Sequence, residues 1–68
     1  MTIDQVRLLL EAQCRKAGSQ TAWAAANGIS LSHVSNVING RDLPGDKVLD
    51  ALGLERLPTM YRRKPHAP

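Results

Sequence analysis

Ile3, Val6, Leu9, Leu10, Cys14 and Ala17 recur at three- and four-residue steps. That is the period of one face of a helix, and it predicts a first helix over about Ile3–Ala17. Thr2 with Gln5 three residues later forms a capping box, in which each side chain satisfies a backbone amide near the other. Met1 and Ile3 are placed to staple the entry, and Gly18 ends the helix.

The stretch Gln20–Gly40, QTAWAAANGISLSHVSNVING, reads as two short helices joined by a tight turn. Ser19 is a natural N-cap, because its hydroxyl can accept from a free first-turn amide. Gln20–Ala26 is Ala-rich and favours helix. Asn27-Gly28 stops it, since Gly takes a left-handed position without the penalty of a Cβ. Ile29 turns back toward the core and Ser30 caps a second helix over about Leu31–Asn39, closed by Gly40. Ala24 is the small residue that a close helix crossing requires. Trp23, Ile29, Val34 and Val37 are expected to form the buried side of the pair.

Beyond Gly40 the pattern weakens. Arg41-Asp42-Leu43 reads as a loop, with Pro44 suited to an early helix position. A fourth helix is expected over Gly45–Leu52, with Val48, Leu49 and Leu52 inward and Gly53 as the stop. Leu54 and Leu57 can fold back on the core through a further helical turn, ended by Pro58. Thr59–Lys64 has no helical pattern, and Met60, Tyr61 and Arg62 suit an extended strand or a loose arm. Residues 1–61 are expected to form one domain, and 62–68 a basic, flexible C-terminal tail.

Within this frame the chain resembles the lambda-repressor-like, or XRE-type, helix-turn-helix family, including small Cro-like phage regulators. The residues that carry the resemblance are Gln20, Thr21, Ala24, Gly28, Ile29, Ser30, Val34, Val37 and Asn39-Gly40. It extends more weakly through Pro44 and Leu52-Gly53-Leu54 to about Tyr61. Trp23 is larger than the usual Leu or Ile, and Asn27 is more polar than is common there. The resemblance implies an all-α fold of four to five helices with the motif at helices two and three. It also implies a double-stranded DNA operator as partner.

Composition narrows the picture. Sixty-eight residues allow one domain, which at this size buries only about 60% of its unfolded surface. With one Trp, one Tyr and no Phe, the core must be Leu, Val, Ile and Ala. No apolar run suits a membrane span or a signal peptide. The single Cys14 leaves no internal disulfide and fits a reducing cytoplasm, in a prokaryotic cell or a phage-infected host.

The net charge is +3 and the sequence pI about 9.6. The distribution says more than the total. From Ala17 to Gly40 there is no Asp, Glu, Lys or Arg. Positive charge lies outside, in Arg15-Lys16, Arg41 and Arg62-Arg63-Lys64, and acids gather at Asp42, Asp46, Asp50 and Glu55. A surface free of carboxylates is what a polyanion requires.

In such an architecture the second motif helix enters the major groove. Ser30, Leu31, Ser32, Ser35 and Asn36 are then the expected base contacts. Asn36 can bond bidentately to adenine and Leu31 can meet a thymine methyl. No Arg lies on this helix to bond guanine, so the read positions should lean toward A·T, with a large share of selectivity from DNA shape. Gln20, Thr21, His33, Asn39 and Arg41 are the expected phosphate contacts, His33 standing between that role and that of an exposed neutral ring.

Enzyme chemistry finds no footing. Cys14 falls on a core face, His33 and His66 lack a nucleophile or carboxylate pattern, and no zinc spacing or glycine-rich nucleotide loop is present. No cofactor and no metal are expected. Two function classes remain. One is a Cro-like repressor that reads a pseudo-palindromic operator as a homodimer, at least on DNA, with Leu57, Met60 and Tyr61 as candidate dimer contacts. The other is a protein-interaction module of the same fold: an antitoxin, an adaptor or a polymerase-binding protein.

Overall fold

The first helix forms where the apolar period places it. In the computed structural model, which describes residues 1–64, α1 spans Ile3–Ala17. The Thr2 hydroxyl accepts from the Gln5 N–H at 3.3 Å, and the Gln5 side chain accepts from the Thr2 N–H at 2.8 Å. Asp4 in the first turn and Arg15 and Lys16 in the last suit the helix dipole. Val6, Leu10 and Cys14 line its buried face.

Three short helices follow: α2 (Gln20–Asn27), α3 (Leu31–Ile38) and α4 (Asp46–Leu52). Strand β1 (Leu54–Arg56) then pairs antiparallel with β2 (Tyr61–Arg63), in the register Leu54↔Arg63, Glu55↔Arg62 and Arg56↔Tyr61. The fold is therefore mostly helical with a small two-stranded sheet.

The C-terminal third corrects the sequence reading in three places. Pro44 does not start α4; Gly45 is the N-cap, and Pro44 precedes it as a fully buried side chain. No fifth helix forms at Leu54–Leu57. The Gly53 backbone turns left-handed at φ 72° and sends the chain into β1, where Leu54 is buried and Arg56 exposed. A two-residue turn at Pro58-Thr59 returns it, closed by the Leu57 N–H donating to the Met60 carbonyl at 2.8 Å. Finally, β2 carries regular pairing past the expected boundary at residue 61. The flexibility expected of residues 65–68 lies outside the described residues.

The core has two parts that share Leu52 at their border. Leu10, Cys14, Trp23, Ala24, Ile29, Val34, Val37 and Val48 form the larger one. Val6, Leu49, Leu54 and Tyr61 form the smaller, with Met1, Ile3 and Leu9 packed against it. Each buried Val or Leu contributes about 1.5–3 kcal/mol. The start of the chain seals the smaller part. The Met1 ammonium donates to the Tyr61 carbonyl, and the Tyr61 N–H donates back to the Met1 carbonyl at 2.7 Å. Among the described residues, no helix is long and apolar enough to cross a membrane.

Candidate nucleic-acid interface

The α2–α3 unit is built by its caps. The Ser19 hydroxyl accepts from the Ala22 N–H at 3.0 Å and starts α2. Gly28 ends it in the left-handed region, at φ 65° and ψ 33°, which an L side chain occupies only at a cost. The Ile29 N–H reaches back to the Ala24 carbonyl at 2.9 Å, so the turn closes over Ala24, itself 2% exposed. The Ser30 hydroxyl then accepts from the His33 N–H at 3.0 Å and starts α3. Trp23, Ala24, Ile29, Val34 and Val37 are buried, as the spacing predicts.

What remains outward is short and polar. Ser30, Leu31 and Ser32 are exposed, Leu31 by 44%, while Ser35 and Asn36 are half-buried further along the helix. The Asn39 amide donates to the Ser35 hydroxyl at 3.5 Å, across the last turn of α3. The Asn36 carbonyl accepts from the N–H groups of Arg41, at 2.8 Å, and Asp42, at 3.2 Å. That fixes the path of the chain as it leaves α3. Gln20 is half-buried and Thr21 exposed on the first turn of α2.

Charge is sorted around this unit. Asp4 pairs with Arg7 at 2.9 Å, Asp46 approaches Arg56 at 3.9 Å, Glu55 pairs with Arg62 and Asp50 with Lys64. Two of the three tail cations are thus matched by carboxylates and are poor sources of attraction for a polyanion. Among the described residues, Arg15, Lys16, Arg41, Lys47 and Arg63 have no carboxylate partner. Arg15 lines a hollow with Glu11, Gln20 and Ile38. Lys47 lines another at the turn, with Gly28, Ile29, Ser30 and the exposed Asp46.

No family model, curated protein or solved structure matches the chain. The chemistry of the face must therefore be drawn from its own residues.

Two of the expected site residues sit in unexpected surroundings. His33 is engaged inside the protein: its Nε2 accepts from the Gly45 N–H at 3.2 Å, and its Nδ1 lies 3.9 Å from Asp42. The ring spans from α3 to the start of α4 and is not a free phosphate ligand. Tyr61 is 8% exposed within the smaller core, so its ring is no open dimer surface. Leu57 is half-buried and Met60 is 47% exposed. Both line a groove of about 580 Å³ with Ile3, Leu43 and Pro44. Leu43, 67% exposed, joins them there and was not singled out in the sequence.

Lys47 was also missed. Its place one residue into α4 carries no pattern, and only the packing of α4 against the turn brings it near Ser30. Cys14 is buried, and burial first, with Glu11 second, pushes its thiol above the ordinary range. It is thus held neutral and poorly nucleophilic. No cluster of three metal-binding side chains occurs among the described residues.

Proposed function

We propose that the chain is a sequence-specific double-stranded DNA-binding regulator of Cro-like type, with α2–turn–α3 as its helix-turn-helix. The observation that carries this reading is the sorting of charge. The capped pair holds no Asp, Glu, Lys or Arg of its own, while cations without carboxylate partners stand at both its ends. Carboxylates elsewhere are mostly drawn into pairs. In this reading α3 enters the major groove with Ser30, Leu31, Ser32, Ser35 and Asn36 toward the bases. Gln20, Thr21, Asn39 and Arg41 take phosphates.

One unit of this size reads only a few base pairs, so a pseudo-palindromic operator bound by two copies is part of the proposal. The exposed Leu43 and Met60 beside their shared groove favour a homodimer contact on that side.

Selection from random DNA followed by affinity measurement across salt tests this. The proposal expects an A·T-leaning half-site, repeated with dyad symmetry, and a steep loss of affinity with salt. A strictly G-rich half-site would overturn the assignment of α3 as the reader. An absence of ordered DNA binding at low salt would favour the protein-interaction module instead.

A further inference from the structure

We propose that His33 is a positioning residue whose neutral ring pins the start of α4 against α3 and makes that junction sensitive to protonation. The part concerning DNA affinity rests on the DNA-binding reading above; the pin itself does not.

The Gly45 N–H donates to His33 Nε2 at 3.2 Å. The approach is so close that a Cβ on Gly45 would lie 3.2 Å from Nε2 and 3.7 Å from Cε1. Gly45 has an ordinary extended backbone, at φ −77°, so a side chain there would meet no conformational penalty but would have to push the ring back by a few tenths of an ångström. It is also the N-cap of α4 and offers no side chain of its own to that helix. The imidazole thus takes the place of a loop clamp, joining an element of the reading pair to the next helix.

The chemistry of the ring sets its dependence on protons. Nε2 accepts only when it carries no proton, which in the neutral ring places the proton on Nδ1. Nδ1 faces Asp42 at 3.9 Å. A second proton on Nε2 converts the acceptor into a donor aimed at an N–H, and the bond to Gly45 is lost. The charged groups around the ring are Asp42 from the loop and Asp46 and Lys47 from α4. α2 and α3 contribute none, since no Asp, Glu, Lys or Arg occurs between Ala17 and Gly40. Asp42 therefore attracts the protonated ring toward the loop while Gly45 is released. The released segment is flanked by Arg41 and Lys47, the two cations next to α3 without carboxylate partners among the described residues.

The full chain, labelled with ¹⁵N, is followed from about pH 8 to about pH 5.5, the range in which imidazoles change charge. H33Q, which keeps an acceptor but does not titrate, is the control. The Gly45 amide shift should follow the His33 ring nitrogens in the native chain and stay still in H33Q. At fixed salt, affinity for the selected DNA should fall about fivefold on acidification in the native chain, as for one lost hydrogen bond, with the salt slope unchanged. In H33Q it should stay flat. A Gly45 amide indifferent to the ring overturns the pin. So does an affinity that rises in acid with a steeper salt slope, the mark of a phosphate contact. If H33Q does not fold, the native ring and Gly45 shifts decide alone. If they move together but no DNA binds at any pH, the pin stands and the DNA reading falls.

Discussion

The guanidinium of Arg56 donates to the carbonyl of Pro44 at 2.7 Å, tying the hairpin to the loop that follows α3. A charged donor on a neutral carbonyl makes one of the stronger hydrogen bonds, but this side chain is 51% exposed. Arg56→Met should cost about 1 kcal/mol, as for an ordinary neutral hydrogen bond, because exposure to water weakens the charged one. The nearby Asp46, 3.9 Å away and 91% exposed, should matter far less. Urea denaturation of R56M and D46N checks both, and equal losses would mean that the ion pair carries the tie.

Ala24 lies under the closing turn between α2 and α3. Ala24→Leu has no space to occupy, and overpacking of this kind costs about 1–3 kcal/mol. A marked fall in Tm, with DNA binding lost in parallel, is expected. An unchanged Tm would show that the turn can open without penalty.

Gly28 presents the opposite case. A Cβ there would meet nothing within 4 Å, so only its left-handed backbone resists substitution. Gly28→Ala should cost about 1–2 kcal/mol, and Gly28→Asn clearly less, since Asn tolerates that conformation. Thermal unfolding of the two variants gives the comparison directly.

Base and phosphate contacts separate by salt. Arg41→Ala should weaken all sequences alike and lower the salt slope by about 1. Asn36→Ala should leave the slope alone and relax one position of the site, at a cost of about 1–3 kcal/mol against the preferred base. Titrations of both variants at several salt concentrations distinguish these roles. The reverse assignment would require a different face of α3 toward the DNA.

Cys14 links folding to alkaline pH. Its thiol is raised in the folded chain by burial and then by Glu11, so the unfolded chain loses the proton first. The contribution is complete below the ordinary thiol range and is lost as pH rises through the raised value. Native Cys14 should resist alkylation near neutrality and react at once in urea. Stability measured above pH 9 should decline less in Cys14→Ala than in the native chain.

The first forty residues were legible because their signals are local. Thr2 and Gln5, Ser19, Gly28 and Ser30 act within a turn of where they stand, and one apolar stripe fixes α1. The rest depended on distance. Leu54 and Leu57 have helical spacing, but Gly53 redirects the chain and Arg63, nine residues on, pairs with Leu54. Pro44 suits a first helical turn, yet its burial and its carbonyl's bond to Arg56 set it ahead of Gly45. His33 looked like a free polar residue on an exposed helix, because nothing near it in sequence shows that Gly45 will arrive beside its ring. That Ser30, Leu31 and Ser32 stand exposed at the start of α3 was readable; that Gln20, Ser35 and Asn36 are half-buried was not. Which site residues are already occupied within the protein was not readable either.

The paired backbones of Met1 and Tyr61 make a clasp between residues sixty positions apart, and that clasp seals the smaller core. A chain trimmed at its start should therefore uncover Val6, Leu49, Leu54 and Tyr61 to an apolar dye or a chaperone, while the Ser19 and Ser30 caps of α2 and α3 stay in place.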